Sequence, residues 1–272
     1  MSRRTRLDSE LVRRGLARSR EQASQLIEAG RVTVGGQVAA KPATQVETAS
    51  AIVVAEAVEG PDYVSRGAHK LLGALEAFGP RGLTVTGRHC LDAGASTGGF
   101  TDVLLRGGAA HVLAVDVGYG QLAWSLRTDE RVTVMERVNV RDLTPEMVGQ
   151  PPTLIVGDLS FISLRLVLPA LVACAAERAD FAMLVKPQFE VGRERVGAGG
   201  VVRDPVLRGQ AVQDVADSAR ALGLTVRGVT ASPLPGPSGN VEYVIWLGRG
   251  EGPPPVEDVA AEIGRAVAEG PQ

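Results

Sequence analysis

The chain has little lysine, little cysteine and no long uninterrupted apolar segment. Each of these shortages limits the functions that the sequence can be expected to have. Of its 29 basic residues only three are lysines, Lys41, Lys70 and Lys186. Arginine keeps its proton in proteins, whereas lysine releases one when its surroundings favour the neutral amine. A lysine retained in so arginine-rich a chain is therefore a candidate for a role that requires lysine.

The two cysteines and the apolar segments argue against a secreted, metal-binding or membrane protein. Cys90 and Cys174 stand in apolar surroundings and do not have the spacing of metal ligands. The longest apolar run, near 166–176, contains Pro169 and is shorter than the roughly 18 residues of a membrane-spanning helix. No signal peptide is recognisable at the N-terminus. The expectation is a soluble, cytoplasmic protein without a metal site.

Positive charge is concentrated at the N-terminus. The chain as a whole has a formal net charge of −2, yet residues 1–31 contain eight arginines and four acidic residues. Apolar residues at helical spacing predict two short helices there, the second capped by Ser19 and ended by Gly30. Gly35-Gly36 then predicts a hairpin turn, with further strand at 44–46 and 51–54.

This small unit is too short to hold an enzyme pocket, but it can present a basic surface to phosphates. The order of its elements is similar to that of the small RNA-binding module first described in a ribosomal small-subunit protein. A solvated helix face is the alternative interpretation of such a charge cluster. The residues predicted to bind RNA are Arg3, Arg4, Arg6, Arg14, Arg18, Arg20, Lys41 and Arg66.

The segment Leu91–Phe100, LDAGASTGGF, predicts a ligand site. An apolar strand that ends in Asp-x-Gly and turns through small residues into a helix leaves backbone N–H groups near a bound molecule. The spacing differs from the G-x-G-x-x-G pattern of dinucleotide sites and favours S-adenosylmethionine. Asp116, at the end of the next apolar run, stands where nucleotide-binding folds place the acid that binds ribose hydroxyls.

From residue 88 onward the pattern alternates strand and helix, as in a doubly wound α/β sheet. Strands are predicted at 88–93, 111–116, 132–137, 153–158, 180–186, 224–231 and 240–248. Helices are predicted near 98–107, 119–127, 163–176 and 204–222, after an amphipathic helix that ends near Phe78. The predicted fold is a Rossmann-like seven-stranded methyltransferase sheet preceded by a small α+β RNA-binding domain. The predicted boundaries are 1–59 for the RNA-binding domain, 60–64 for a linker, 65–249 for the methyltransferase domain and 250–272 for a loose tail.

Four ionisable residues are candidates for catalysis: Lys70, Asp158, Lys186 and Glu242. The predicted strand ends place Asp158 and Lys186 at the ligand crevice of the sheet, whereas the sequence alone does not place the other two. Asp158 as a helix cap, and Glu242 as a surface strand residue, are the alternatives.

The order and sequence context of these four residues resemble those of the TlyA family. The resemblance covers about residues 3–248 and includes the segments DAGASTGGF, VDVGYGQL, DLSFISL and LVKPQFE. These are ribosomal RNA 2′-O-methyltransferases with an FtsJ-like catalytic domain. The resemblance implies methylation of cytidine ribose in the rRNA of both subunits, with S-adenosylmethionine as donor. It implies ribosomal RNA or ribosomal subunits as partners, with no membrane and no obligate protein partner.

A ribose 2′-hydroxyl is a poor nucleophile, so its oxygen must be aligned and its proton removed. Lys186 is the candidate base, with its pKa expected to be lowered by burial and by Lys70. Asp158 would orient Lys186, and Lys70 and Glu242 would hold the ribose. The target nucleotide is expected to leave its stack.

The residues predicted to bind the donor are Asp92, Gly94, Ala95, Ser96, Gly98, Asp116, Asn139 and Phe161. Peptide N–H groups of Gly94, Ala95 and Ser96 are expected at its amino-acid end, and Asn139 at its adenine. Phe161 would pack on the donor or on the displaced nucleotide. Members of this family also bear the name hemolysin, so a membrane-active protein is one alternative, and a non-catalytic RNA-binding factor is another.

Overall fold

The computed structural model describes residues 4–28, 30–39, 41–54, 63–236 and 238–270. The chain divides into two compact units, Met1–Arg66 and Gly67–Gln272. The predicted RNA-binding domain ended at residue 59 and the predicted linker covered 60–64, so the division lies slightly later than expected. Residues 60–62 of that linker lie outside the described residues.

The small unit has the predicted pair of helices and hairpin. Apolar side chains at helical spacing close its core, with Leu7, Leu11 and Ile27 buried. The Ser19 hydroxyl accepts the Gln22 N–H at 3.1 Å, as the predicted cap requires. Strand β1 was not expected; it pairs with β4, while β2 pairs with both β3 and β5. The elements are β1 (Arg4–Arg6), α1 (Leu7–Arg13), α2 (Arg20–Glu28), β2 (Val32–Val34), β3 (Gln37–Val38), β4 (Gln45–Glu47) and β5 (Ile52–Val54).

The large unit is built on a seven-stranded sheet of order β11-β12-β10-β9-β6-β7-β8, in which β12 is antiparallel to both neighbours. Its strands are β6 (His89–Ala93), β7 (His111–Asp116), β8 (Val132–Glu136), β9 (Leu154–Gly157), β10 (Ala179–Val185), β11 (Thr225–Ala231) and β12 (Tyr243–Arg249). Its helices are α3 (Ala68–Phe78), α4 (Gly99–Arg106), α5 (Trp124–Arg127), α6 (Pro145–Val148), α7 (Leu164–Cys174), α8 (Pro187–Glu190), α9 (Pro205–Ala221) and α10 (Val259–Glu269). The predicted Rossmann-like methyltransferase fold is confirmed.

The strand order reverses between β6 and β9, because the chain runs outward through β7 and β8 and then returns to the other side of β6. In open α/β sheets ligands bind outside the carboxyl ends of the strands at such a reversal. Asp116 ends β7, Asp158 follows β9 and Lys186 follows β10. The topology therefore places the predicted chemistry at this one edge.

Two predicted elements are wrong in extent, and two helices were missed. The helix expected over 119–127 is only Trp124–Arg127, because the Gly118 and Gly120 N–H groups are bound by carboxylates of Asp116 and Glu136 instead. Glu242 was placed within the last strand but precedes it, since β12 begins at Tyr243. Short helices α6 and α8 were not predicted.

The C-terminal segment is not the loose tail that was expected. Val259, Ile263 and Ala266 of α10 are buried. Asp258 caps the helix by accepting the Ala261 N–H at 3.0 Å, and Arg265 donates to the Val229 carbonyl of β11 at 2.9 Å. An apolar stripe at helical spacing thus covers the edge of the sheet.

Candidate active site

A cleft of about 470 Å³ opens at the carboxyl ends of β6, β7 and β9. This volume is within the range of small-molecule sites. Five of the eight residues predicted to bind the donor line it: Gly94, Ser96, Asp116, Asn139 and Phe161. We call it the donor cleft.

The turn after β6 needs a glycine and holds an acid in place. Gly94 has φ +86°, and a Cβ there would lie 3.0 Å from the Asp158 carbonyl oxygen. Asp116 is fixed on both sides, because its Oδ2 accepts the Ser96 N–H at 2.8 Å and its Oδ1 accepts the Gly118 N–H at 2.6 Å. Each oxygen keeps a lone pair, so a held carboxylate faces the cleft and can accept from hydroxyl groups.

One predicted contact is wrong. The N–H groups of Gly94, Ala95 and Ser96 were expected to face the amino-acid end of the donor. Instead Gly94 and Ala95 donate to the Val115 carbonyl at 2.8 and 3.1 Å, and Ser96 donates to Asp116. The turn therefore uses these donors to close itself and to orient Asp116.

The other three residues predicted to bind the donor, Asp92, Ala95 and Gly98, do not line the donor cleft. Ala95 lines a small neighbouring cavity. A Cβ at Gly98, where φ is +101°, would overlap the Leu126 side chain, so this glycine serves packing. Asp92 is fully buried and accepts the Thr101 hydroxyl at 2.7 Å. Burial raises the pKa of Asp92 from 3.8 to about 7, and the Thr101 hydrogen bond opposes that rise.

Two further predicted residues shape the far side of the donor cleft. Asn139 accepts the Arg141 N–H at 3.0 Å and so caps the short 3₁₀ turn that follows β8. Phe161 has φ +64° and leaves 90% of its surface exposed. A bulky residue held in the left-handed region with an exposed ring is strained, and such strain is characteristic of functional loops.

The four candidate catalytic residues meet beside this cleft, although the sequence could not place two of them. Lys186 Nζ lies 2.6 Å from Asp158 Oδ1, and Lys70 Nζ lies 3.2 Å from Asp158 Oδ2. Lys70 Nζ also lies 2.6 Å from Glu242 Oε2. The result is an alternating chain of amine and carboxylate, Lys186–Asp158–Lys70–Glu242, which we call the tetrad.

The tetrad is largely removed from water. Lys70, Lys186 and Glu242 are each less than a tenth exposed, whereas Asp158 also lines the donor cleft. Burial alone would raise the pKa of Asp158, but the ammonium groups of Lys70 and Lys186 outweigh it and hold that pKa below its ordinary value. Asp158 is thus an anion that faces both the donor cleft and the two amines.

Sequence reasoning missed two polar residues of the site. Ser160 accepts a hydrogen bond from Lys186 Nζ at 2.8 Å and lines the donor cleft. Gln121 lines the same cleft, and its Oε1 lies 3.4 Å from the Ser96 hydroxyl. Ser160 stands two residues after Asp158, so its position in the loop after β9 was the available signal.

The predicted RNA-binding arginines of the small unit differ in how they are held. Arg6 and Arg20 both contact buried Asp8 at 2.9 and 2.8 Å, with side chains 45% and 60% exposed. Arg14 donates to Glu10 at 2.8 Å and to the carbonyls of Ser50 and Thr48 at 2.9 and 3.0 Å.

Arg14 therefore serves the fold of the small unit. Arg4, Arg18, Lys41 and Arg66 are exposed, with Arg4 3.7 Å from Glu47. Arg3 lies outside the described residues. Binding of RNA by this set stays a prediction.

Comparison with known proteins identifies both units. Residues 63–249 match the model of the FtsJ-like methyltransferases, and residues 5–52 match the S4 domain. The chain is 60% identical to the 16S/23S rRNA (cytidine-2′-O)-methyltransferase TlyA of Mycobacterium tuberculosis, over all of both chains. The chain belongs to the TlyA family of FtsJ-like methyltransferases. It is therefore a methyltransferase.

Other relatives of the family carry a different name. Hemolysin A of Brachyspira hyodysenteriae is 38% identical over 88% of this chain and 98% of its own. A solved structure from Streptococcus thermophilus, described as a candidate hemolysin, is 38% identical with a TM-score of 0.75, covering 99% of this chain and 96% of that one. Among the described residues, no helix combines the length and apolar character needed to cross a membrane.

Proposed function

We propose that this methyltransferase modifies the 2′-oxygen of cytidine ribose in ribosomal RNA of both the small and the large subunit. The observation that carries the proposal is the buried tetrad beside the donor cleft, with Asp158 shared between the two. The relative named as a 16S/23S rRNA (cytidine-2′-O)-methyltransferase supports the choice of substrate.

The residues of the donor cleft fit S-adenosylmethionine. When bound, this molecule supplies a methyl group on a positively charged sulfur. The held carboxylate of Asp116 suits the ribose hydroxyls, and Asn139 stands where an amide can meet adenine. Asp158 is the anion that balances the positive charge.

Lys186 is the proposed base. Its Nζ would take the proton of the 2′-hydroxyl as that oxygen accepts the methyl group that the donor would supply. Asp158, 2.6 Å away, stabilises the ammonium that results.

Lys70 and Glu242 are proposed to position the reacting groups. Lys70 bridges Asp158 and Glu242. It contacts Oδ2 of Asp158, while Lys186 contacts Oδ1. The bridge fixes the orientation of the carboxylate, which still faces the donor cleft. Alignment of this kind supplies much of the rate of an in-line displacement.

The small unit is proposed to bind RNA phosphates. Arg6 and Arg20 share one buried carboxylate, which orients both guanidinium groups while leaving them exposed. Guanidinium groups suit phosphate oxygens. A basic domain attached to a methyltransferase domain favours an RNA substrate over a small molecule.

The test is transfer of labelled methyl from S-adenosylmethionine to isolated unmodified ribosomal subunits, for wild type, Lys186→Ala and the control Arg220→Ala, at an exposed arginine of α9. Label at a cytidine 2′-oxygen with wild type and the control, and none with Lys186→Ala, is expected. Label with Lys186→Ala would remove that residue from its role. Donor binding without label in any protein, on subunits and on free RNA, would contradict the proposed substrate.

The hemolysin name of some relatives is not a second proposal, because no observed feature of this molecule favours it. A non-catalytic RNA-binding factor would have no need for a buried amine–carboxylate chain that opens on a donor cleft. The labelling experiment separates it from an enzyme directly.

A further inference from the structure

A second cleft, of about 550 Å³, adjoins the donor cleft. Phe161 and Ile162 line both, so these two residues form the partition between them. The second cleft is lined on its other side by Phe189 and Arg193. Nothing in the donor chemistry uses this space.

The partition presents aromatic surface to the second cleft. The ring centroids of Phe161 and Phe189 lie 5.3 Å apart at an interplanar angle of 48°. An exposed apolar ring on a strained backbone is unfavourable for the protein without a ligand, because the ring stays in contact with water. Aromatic faces of this kind are the platforms on which unstacked nucleobases bind.

The cleft also offers polar groups suited to a nucleotide. Gln188 is part of its wall, and the Gln188 Oε1 atom is buried with no hydrogen-bond partner among the described residues. An unpaired buried amide oxygen is unfavourable, and rotation of the side chain would offer the amide to the edge of a base. Arg193 is exposed at the rim, where a phosphate would meet it.

Buried side chains hold the walls of the second cleft together. Glu190 accepts the Ser163 hydroxyl at 2.5 Å and the Leu164 N–H at 2.7 Å, which ties the Phe161 loop to α8. Asn240 donates to the Gly200 carbonyl at 2.8 Å and accepts the Val202 N–H at 2.9 Å. These contacts preorganise the cleft as a binding site would require.

We infer that the second cleft binds the base of the nucleotide whose ribose is methylated, which rests on the proposed function. Phe189 provides the stacking face, Gln188 the hydrogen bonds to the base edge and Arg193 a contact to a phosphate. Gln188 and Phe189 lie two and three residues after Lys186, within α8. A nucleobase in the second cleft would therefore lie across Phe161 from the donor cleft, with its ribose directed past that ring toward Lys186 and the donor.

The test compares Phe189→Leu, Phe189→Trp, Arg193→Gln and the control Arg195→Gln, which lies in the same loop but does not line the cleft. Donor affinity is measured by calorimetry, and methylation of ribosomal subunits by single-turnover labelling at several salt concentrations. Phe189→Leu is expected to raise the subunit concentration for half-maximal rate by about 10- to 100-fold, the loss of one stacked base. Phe189→Trp keeps a ring and should stay within a few-fold of wild type, about the precision of such comparisons.

Arg193→Gln should lower the salt dependence of subunit binding by about one phosphate contact, and Arg195→Gln should not. Donor affinity should be unchanged throughout. Wild-type activity of Phe189→Leu, or loss of its donor binding, would overturn the assignment of this cleft. If wild type itself binds donor but labels no RNA, the proposed function fails first, and the two failures are thus distinguishable.

Discussion

The two units of this protein each hold a carboxylate between two cations, but in opposite ways. In the small unit Asp8 is buried, and its partners Arg6 and Arg20 are 45% and 60% exposed. In the large unit Asp158 is paired with Lys70 and Lys186, whose side chains are only 9% and 7% exposed. The first arrangement presents permanent charge to the outside, and the second keeps amines that can lose protons inside. Under the proposed function, the choice of cation separates RNA binding from catalysis.

The largest effect is expected when Lys186 of the large unit is replaced by arginine, the cation that pairs with Asp8 in the small unit. Lys186→Arg keeps a positive charge for Asp158 but removes the ability to accept a proton, so methyl transfer should fall by about 10²- to 10⁴-fold. Donor binding should persist. Lys41→Arg, at an exposed lysine of the small unit, should be neutral; single-turnover labelling of subunits measures both. A Lys186→Arg rate within a few-fold of wild type would mean that Lys186 acts only as a charge.

Removing the shared acid in each unit tests how much each buried pair contributes to stability. Asp158→Asn leaves two mostly buried amines without their anion and should lower the free energy of unfolding by about 3–5 kcal/mol. Asp8→Asn leaves two arginines that water can solvate, so the cost should be nearer about 1 kcal/mol. Denaturant titration followed separately for each unit measures both values. Equal costs would show that exposure of the cations does not matter.

A third acid, Asp92, is fully buried and sharpens the comparison because its hydrogen-bond partner is the Thr101 hydroxyl and not a cation. The pKa of Asp92 rises from 3.8 to about 7, so the folded state binds its proton more tightly than the unfolded state. Stability should therefore fall as pH rises from about 4 to about 7, and Asp92→Asn should remove that slope. Thermal melts across this pH range, with Asp217→Asn as an exposed control, measure it. Asp158 has the opposite sign, since its lowered pKa contributes stability above pH 3.8 that is lost on acidification.

The smallest effects concern arginines within the small unit. Arg18→Gln, at an exposed side chain, should lower the salt dependence of RNA binding by about one contact without altering stability. Arg14→Gln should instead lower the melting temperature of the small unit, because Arg14 binds Glu10 and two backbone carbonyls. Filter binding at several salt concentrations and thermal melts distinguish them. The reverse pattern would place Arg14 on the RNA surface.

The fold could be predicted because its strands are continuous apolar runs and the turn after β6 has an unmistakable glycine pattern. The roles of individual residues within that turn could not be predicted from the sequence, because Gly98 is required by packing whereas Gly94 lines the donor cleft. Nor could the sequence reveal that Val115 and Asp116 bind the turn's N–H groups. The failed helix at 119–127 shows the same limit, because carboxylates from two strands bind its glycine N–H groups.

The four tetrad residues also differ in how far the sequence could place them. Asp158 and Lys186 follow parallel strands, so topology brings them together. Lys70 and Glu242 are 172 positions apart and meet only through tertiary packing. Ser160 follows Asp158 by two residues, but its contact with Lys186 depends on the path of the loop after β9. Resemblance to a family was needed to group the four before the structure did.

The position of β12 has a consequence for the moment at which the enzyme becomes active. This strand is the last to be synthesised, yet it lies between β10 and β11, and Glu242 immediately precedes it. During translation the sheet cannot close until this segment has emerged, although the small unit is complete long before. A nascent chain would thus complete the small unit before Glu242 joins Lys70, Asp158 and Lys186 in the tetrad.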